Sequence, residues 1–409
     1  MKIKFRSFST LLAVAAFATA TAAQATVHRV YPGESIQEAI NVAAPGDTVL
    51  VEPGTYKEKD NGIYGLRITK DNLRLIGKVK PGQGEAGKVR LLSNEAQETG
   101  VYAAPAGCDY RVEADSELGE NCKSRSLQGF YIRGFSVEEF PVNGIQTRWV
   151  DGFKFVRNES VNNLNNGIYP TLSANGLVRD NSSYGSLDTA MWVAGSENVR
   201  VIGNQMYGSV IGFEITVSNN VQVTHNKIYD NTVGVGLFHP NGAGNPPLPV
   251  MANWVIEHND VYSNNRPNEA SPTSFQGALP PGAGILLLGV SDHVVAKNTV
   301  RDNGFVGIGV LDWCTATFFT PFNCGEITPI TPSAANNNVV SLNKLSGNGT
   351  NPPGDGMGGT GPLDDLAADL VYYDLFGGSS GNCFEKNKPK NGYTFVSSEP
   401  DGELPTSEC

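Results

Sequence analysis

This sequence predicts an all-β solenoid, a parallel β-helix, on three observations. An asparagine closes a short apolar segment seven times between Asn158 and Asn343, at spacings of 23, 23, 22, 33, 39 and 45 residues. Six residues before each closing asparagine stands a turn-former (Gly152, Asn175, Asn198, Asn220, Asn253, Asp292, Asn337), and three before it an apolar residue, from Phe155 to Val340. A further short strand opens on a small residue: Gly144, Gly167, Ala190, Gly212, Gly234, Gly284 and Gly307.

A period near 22, with three short strands and Asn/Gly corners, fits one coil of a stack of roughly ten. The longer spacings are one period plus an insertion, and Asn387 extends the series beyond Asn343. Strands of successive coils stack ~4.8 Å apart. An asparagine at the same inward corner of every coil can bond backbone groups above and below, pairing amides that a turn would strand. Leucine-rich repeats have a similar length, but their Leu frame and helical segments are missing. The pattern resembles the right-handed parallel β-helix repeats of the pectin-lyase-like superfamily over roughly residues 27–390.

Taken in order, residues 1–25 read as a secretory signal. Lys2, Lys4 and Arg6 precede the apolar run Leu11 to Ala20, and Ala23-Gln24-Ala25 is a small-residue cleavage site. The β-helix occupies 26–390. Its first coil carries a short amphipathic helix N-capped by Ser35, then the turn Pro45-Gly46-Asp47 and the strand from Thr48 to Glu52. The helix is expected to cap the apolar end of the stack. This opening is similar to those of exported β-helix proteins, including polysaccharide lyases, epimerases and the periplasmic NosD type. Insertions are expected at 95–126, 240–252, 265–282, 314–335 and 346–365, and residues 391–409 read as a loop-like tail.

The formal charge is −11, and −14 without the signal segment, which argues against nucleic acid as a partner while leaving room for a local basic groove. No later segment is long and apolar enough to span a bilayer. Six cysteines in an exported chain read as three local disulfides, 108–122, 314–324 and 383–409.

Three insertions leave or arrive beside the small-residue strand, so its sheet is the expected floor of a cleft. Strict alternation puts Gln146, Tyr169, Trp192 and Glu214 outward in one row, with Arg148 and Thr171 in the next. Tyr169 and Trp192 suit stacking on sugar rings, Glu214 and Gln146 suit hydroxyls, and Arg148 is the basic residue of the floor. At the strand's exit come His239, Asp312 and Asp374. His239 and Asp312 fall two coils apart, ~10 Å, and Asp312 and Asp374 one coil apart, ~5 Å. A close carboxyl pair can serve glycoside cleavage and a histidine can act as general base. The same residues can equally be corners bonding backbone. Asp188 and Glu214 form a second pair that alternation places ~14 Å apart, beyond the hydrolase range. His225 and His258 share a corner position on adjacent coils with Lys297 next, and read as an outward face rather than a metal site.

The expected function is carbohydrate-active: lyase, epimerase or hydrolase acting on a polysaccharide. The alternative is a non-catalytic glycan-binding or accessory module of the NosD-like kind. The resemblance brings Ca²⁺ into view as a cofactor, but no motif here carries it.

Overall fold

The computed structural model describes residues 25–59, 61–94, 96–238, 250–318, 320, 324, 334–354, 363–376, 378–389 and 392–406. The strands form three sheets that run the length of the chain, with 12, 11 and 10 strands among the described residues. Every pairing joins a strand to the equivalent strand of the next coil, in parallel. One coil runs through the first sheet (Ala174–Arg179), the second (Ser182–Tyr184) and the third (Thr189–Ala194), then returns to the first at Glu197–Ile202. The core is a single apolar column inside the coils, from Val30 to Leu404.

The closing asparagines hold the corner between the first and second sheets. Asn181 Oδ1 accepts from the Asn158 N–H at 2.9 Å, and its Nδ2 donates to the Phe155 carbonyl at 3.0 Å. Asn204, Asn226, Asn259, Asn298, Asn343 and Asn387 repeat this, each accepting from the backbone N–H of the asparagine one coil before. The residue before each asparagine pays in backbone strain: Asp180, His225, His258 and Lys297 have φ of 57, 59, 57 and 57°. Their side chains consequently point outward. The His225 and His258 rings stack at 5.3 Å, and Lys297 pairs with Glu257 at 3.3 Å.

Two further ladders hold the other corners. Asn163, Ser186, Ser209, Asn231, Asn264, Asn303 and Asn348 line the second, five residues after each member of the first. The third runs through Ser173, Ser196 and Ser218, and later His293, Asn338 and Asn382. His293 takes an asparagine's place: its Nδ1 accepts from the Trp254 N–H at 3.3 Å and its ring stacks on Trp254 at 4.1 Å. Burial pushes its pKa down to about 3. On the second sheet's outer face Tyr184, Tyr207, Tyr229 and Tyr262 stack at 4.8–5.1 Å, and the Arg301 guanidinium covers the last ring at 4.0 Å.

Helix α1 (Ile36–Val42) is N-capped by Ser35, whose Oγ accepts from the Glu38 N–H at 3.1 Å, and it buries Ile36 and Ile40 in the first coils. Helix α2 (Glu117–Ser124) lies in an insertion closed by the Cys108–Cys122 disulfide, and α3 (Trp313–Phe318) opens one closed by Cys314–Cys324. Cys383 is also disulfide-bonded, while Cys409 lies outside the described residues.

Two boundaries differ from expectation. Thr99–Ala103 is a strand of the third sheet rather than part of an insertion, because Val101 and Ala103 face the core in register with Ile145 and Thr147. Phe395–Ser397 is a strand rather than loop, pairing Phe395 with Leu370 at the sheet's end. Residues 1–24, and with them nearly all of the signal-like segment, lie outside the described residues.

Asn204→Ala leaves the Asn181 N–H without its buried acceptor, and should cost about 1–3 kcal/mol in chemical denaturation. Asn198→Ala, at an exposed corner, strands no buried amide but places alanine at φ 55°, and should cost only about 1 kcal/mol, through backbone strain. His293 is neutral in the fold down to about pH 3 but titrates near 6.5 when unfolded. Its contribution is therefore complete above pH 6.5 and lost as pH falls. His293→Asn, which supplies the ladder's usual side chain, should keep the fold and reduce the drop in melting temperature between pH 6.5 and 4.

Candidate active site

The third sheet's strands open with two core-facing positions in succession. Ala190 and Met191 both face the core, although they are consecutive. The small-residue column explains this. A Cβ on Gly167 would stand 2.0 Å from Ser183 Oγ, so the first of the two inward residues must be small. Thr189 therefore shares the outer face with Trp192. The register Trp192↔Glu214 then brings the Glu214 side chain back over Thr189.

This overturns the expected separation of Asp188 and Glu214. Thr189 Oγ1 lies 3.1 Å from Asp188 Oδ1 and 2.6 Å from Glu214 Oε2, so the two carboxyls meet across one hydroxyl. Both are buried, Glu214 to 1% exposure and Asp188 to 8%. Burial pushes Asp188 up to about 7, against hydrogen bonds from Thr189 and Gln276 that favour its ionised form. Burial, and then the neighbouring Asp188 charge, hold Glu214 well above the usual carboxylate range. Gln276 comes from the 265–282 insertion, where Phe275 anchors the segment by packing on Phe238 and Trp313.

The row along the third sheet is as expected: Gln146, Tyr169, Trp192 and Glu214 stand on successive coils. Their surroundings differ. Tyr169 and Trp192 stack on each other at 4.5 Å and 12°, and both are buried, so these facing surfaces are taken up within the protein instead of floor to an open cleft. Trp192 Nε1 donates to Thr216 Oγ1 at 3.0 Å. Gln146 accepts from Asn143, which accepts from Asn166. Arg148 is drawn away from the row: it donates to the Tyr110 carbonyl and lies 4.4 Å over the Trp149 ring. Buried Arg148 Nε, Tyr102 Oη and Asn166 Oδ1 have no hydrogen-bond partner among the described residues, and all three lie in coils at or beside that of Gln146.

Asp312 and Asp374 are neighbours across adjacent coils, as expected, following the paired residues Leu311 and Tyr373. Burial raises the Asp312 carboxyl, and a hydrogen bond with Asp374 adds to the rise. Asp312 is also committed to backbone: it caps α3 by accepting from the Thr315 N–H at 2.9 Å, and Asp374 accepts from the Ser379 N–H at 2.8 Å. Asp312 lies three coils beyond Glu214, ~14 Å along the axis, so the two carboxyl pairs are separate. His239 falls outside the described residues. No three His, Cys, Asp or Glu side chains converge as a metal site among the described residues.

Residues 122–265 match the family model of the right-handed β-helix region. No curated protein sequence matches the chain. Among solved structures, the A-module of the Azotobacter vinelandii mannuronan C-5 epimerase AlgE4 superposes with a TM-score of 0.56 at 16% identity, covering 92% of this chain and 98% of that one. DFA-IIIase from Arthrobacter chlorophenolicus A6, in complex with GF2, gives 0.53 at 14%, covering 92% and 89%. The Dettilon tailspike protein gp208 gives 0.52 at 14%, covering 92% of this chain and 62% of the tailspike. The chain is a right-handed parallel β-helix of the pectin-lyase-like fold.

The raised carboxyls set a pH dependence opposite to that of His293. Asp188 holds its proton in the fold up to about pH 7 but loses it near 3.8 when unfolded. Stability from this group is complete below about pH 4 and lost as pH rises towards 7. Asp188→Asn removes the titrating group and should lessen the fall in melting temperature between pH 5 and 8, measured by differential scanning calorimetry.

Proposed function

We propose that this chain is an exported carbohydrate-active enzyme that cleaves or transfers glycosidic bonds, with Glu214 as its proton-exchanging carboxyl and Asp188 as its nucleophile. The observation that carries the reading is the shared hydroxyl. Thr189 Oγ1 has one hydrogen to give, yet two carboxyls lie within hydrogen-bond distance of it. One carboxyl must therefore donate. Glu214, the more deeply buried, holds the proton and donates to Thr189, which donates to Asp188 as that carboxyl ionises near pH 7. Such an arrangement pairs an acid with a base at neutral pH. The two bonds bring the facing oxygens to within roughly 6 Å, close to the separation of glycosidases that proceed through a covalent intermediate.

In this scheme Glu214 protonates the departing glycosidic oxygen. Asp188 attacks the anomeric carbon, and water or a second sugar hydroxyl then releases it while returning its proton to Glu214. Gln276 would position Asp188, and the unpartnered polar atoms beside Gln146 would meet sugar hydroxyls. Fold neighbours include a mannuronan C-5 epimerase and a DFA-IIIase bound to GF2, which supports a glycan as substrate class. The signal-like segment and the disulfides support export. A second reading, a non-catalytic glycan-binding or accessory module, is favoured by the burial of Glu214 and the mutual stacking of Tyr169 and Trp192.

Purified protein incubated with neutral and uronic-acid polysaccharides should release reducing ends without unsaturated ends. Glu214→Gln and Asp188→Asn should each lower kcat about 10²-fold or more while the protein stays folded. Unsaturated products would replace this mechanism with elimination. Silence across the panel would favour the binding module.

A further inference from the structure

A second site lies away from the carboxyl pair, at the corner between the first and second sheets near the N-terminal end. There the segment that follows Gly77 overhangs the next coils and encloses a cavity of about 620 Å³. Five cations line it, Lys78, Lys80, Lys88, Arg133 and Arg157, against a single carboxylate, Glu159. Three are partly neutralised: Lys78 pairs with Glu52 at 2.5 Å, Lys88 with Glu159 at 2.6 Å, and Arg157 lies 3.7 Å from Asp180. Lys80 and Arg133 make no ion pair among the described residues. Val79, 53% exposed, adds an apolar surface to the same wall.

We infer that this groove binds an acidic polysaccharide through its carboxylates. Concentrated positive charge on a chain of net charge −11 is the complement of an anionic ligand. Arginine forks match carboxylates bidentately. The geometry suits a polymer: Arg133 and Arg179 share one register column two coils apart, and Arg157 stands one residue past that column on the coil between. Arg179, 3.5 Å from Asp180, carries the charge beyond the cavity. Val79 offers the apolar contact that the C–H face of a sugar ring accepts. The choice of a glycan over other polyanions rests on the proposed function. The groove itself uses none of that site's residues, so it can hold a polymer while the carboxyl pair acts on it elsewhere or remains idle.

The test is equilibrium binding of polygalacturonate and of a neutral glucan to the full chain by isothermal titration calorimetry, at 50 and 300 mM NaCl. Polygalacturonate should bind and weaken several-fold at the higher salt, and the glucan should not compete. Arg133→Glu combined with Arg157→Glu should weaken polygalacturonate at least tenfold, and Lys80→Glu should do so more mildly. All three positions are solvent-facing, and circular dichroism checks their folding. Asp188→Asn should leave this binding unchanged. Charge reversal without loss of affinity, or equal binding of the neutral glucan, would overturn the inference. Cleavage assays on the same variants separate the two readings: turnover of neutral glycans without polygalacturonate binding would sink this site and spare the carboxyl pair, and binding without turnover would do the reverse.

Discussion

The structure depends on one side chain bonding two backbones. Where a coil turns between sheets its amides lose their strand partners, and in the interior no water can replace them. A carboxamide placed inward at the corner accepts from the coil before and donates back to a carbonyl, so each turn is completed by its neighbour. No coil is satisfied alone. The solenoid is therefore stable only as a stack, as nearest-neighbour architectures are.

That constraint also shapes the candidate site. A corner ladder needs space inside the turn, so the third sheet's strands begin with a small inward residue and carry two core-facing positions in succession. The doubled inward position shifts the outer face by one residue and gathers Asp188, Thr189, Trp192 and Glu214 on one patch. Insertions then cover the sheet from both ends: the Cys108–Cys122 loop packs over Tyr64 and Tyr102, and the segment bearing Phe275 and α3 over Phe238 and Leu286. The carboxyl pair lies between those covers, in the dry surroundings that raise its affinity for protons.

Much of the fold was legible because periodicity survives insertion. Asn226, Asn259, Asn298 and Asn343 keep phase across gaps of unequal length. The second ladder was equally legible, since Asn231, Asn264, Asn303 and Asn348 follow at a constant offset of five, and so was the tyrosine column. The site was less so. The row from Gln146 to Glu214 follows from counting, but strict alternation has no place for two inward residues in succession, so it separated two carboxyls that share a hydroxyl. Gln276 could not be read at all: it sits in an insertion with no repeat to give it a phase. Arg148 was placed in the right row, yet its attachment to Tyr110 depends on how another insertion folds back.

The two cross-links with both ends described, Cys108–Cys122 and Cys314–Cys324, close insertions and join no coil to another. Those two insertions are thus closed by a chemistry that the carboxamide corners beside them do not use. The carboxamide corners form in any compartment, because nothing in them is redox-active. The two cystine-closed covers close fully only where thiols are oxidised. The cover that reaches the carboxyl pair, residues 265–282, contains no cysteine and is held by Phe275 against Phe238 and Trp313, so its grip on Asp188 depends on no disulfide of its own.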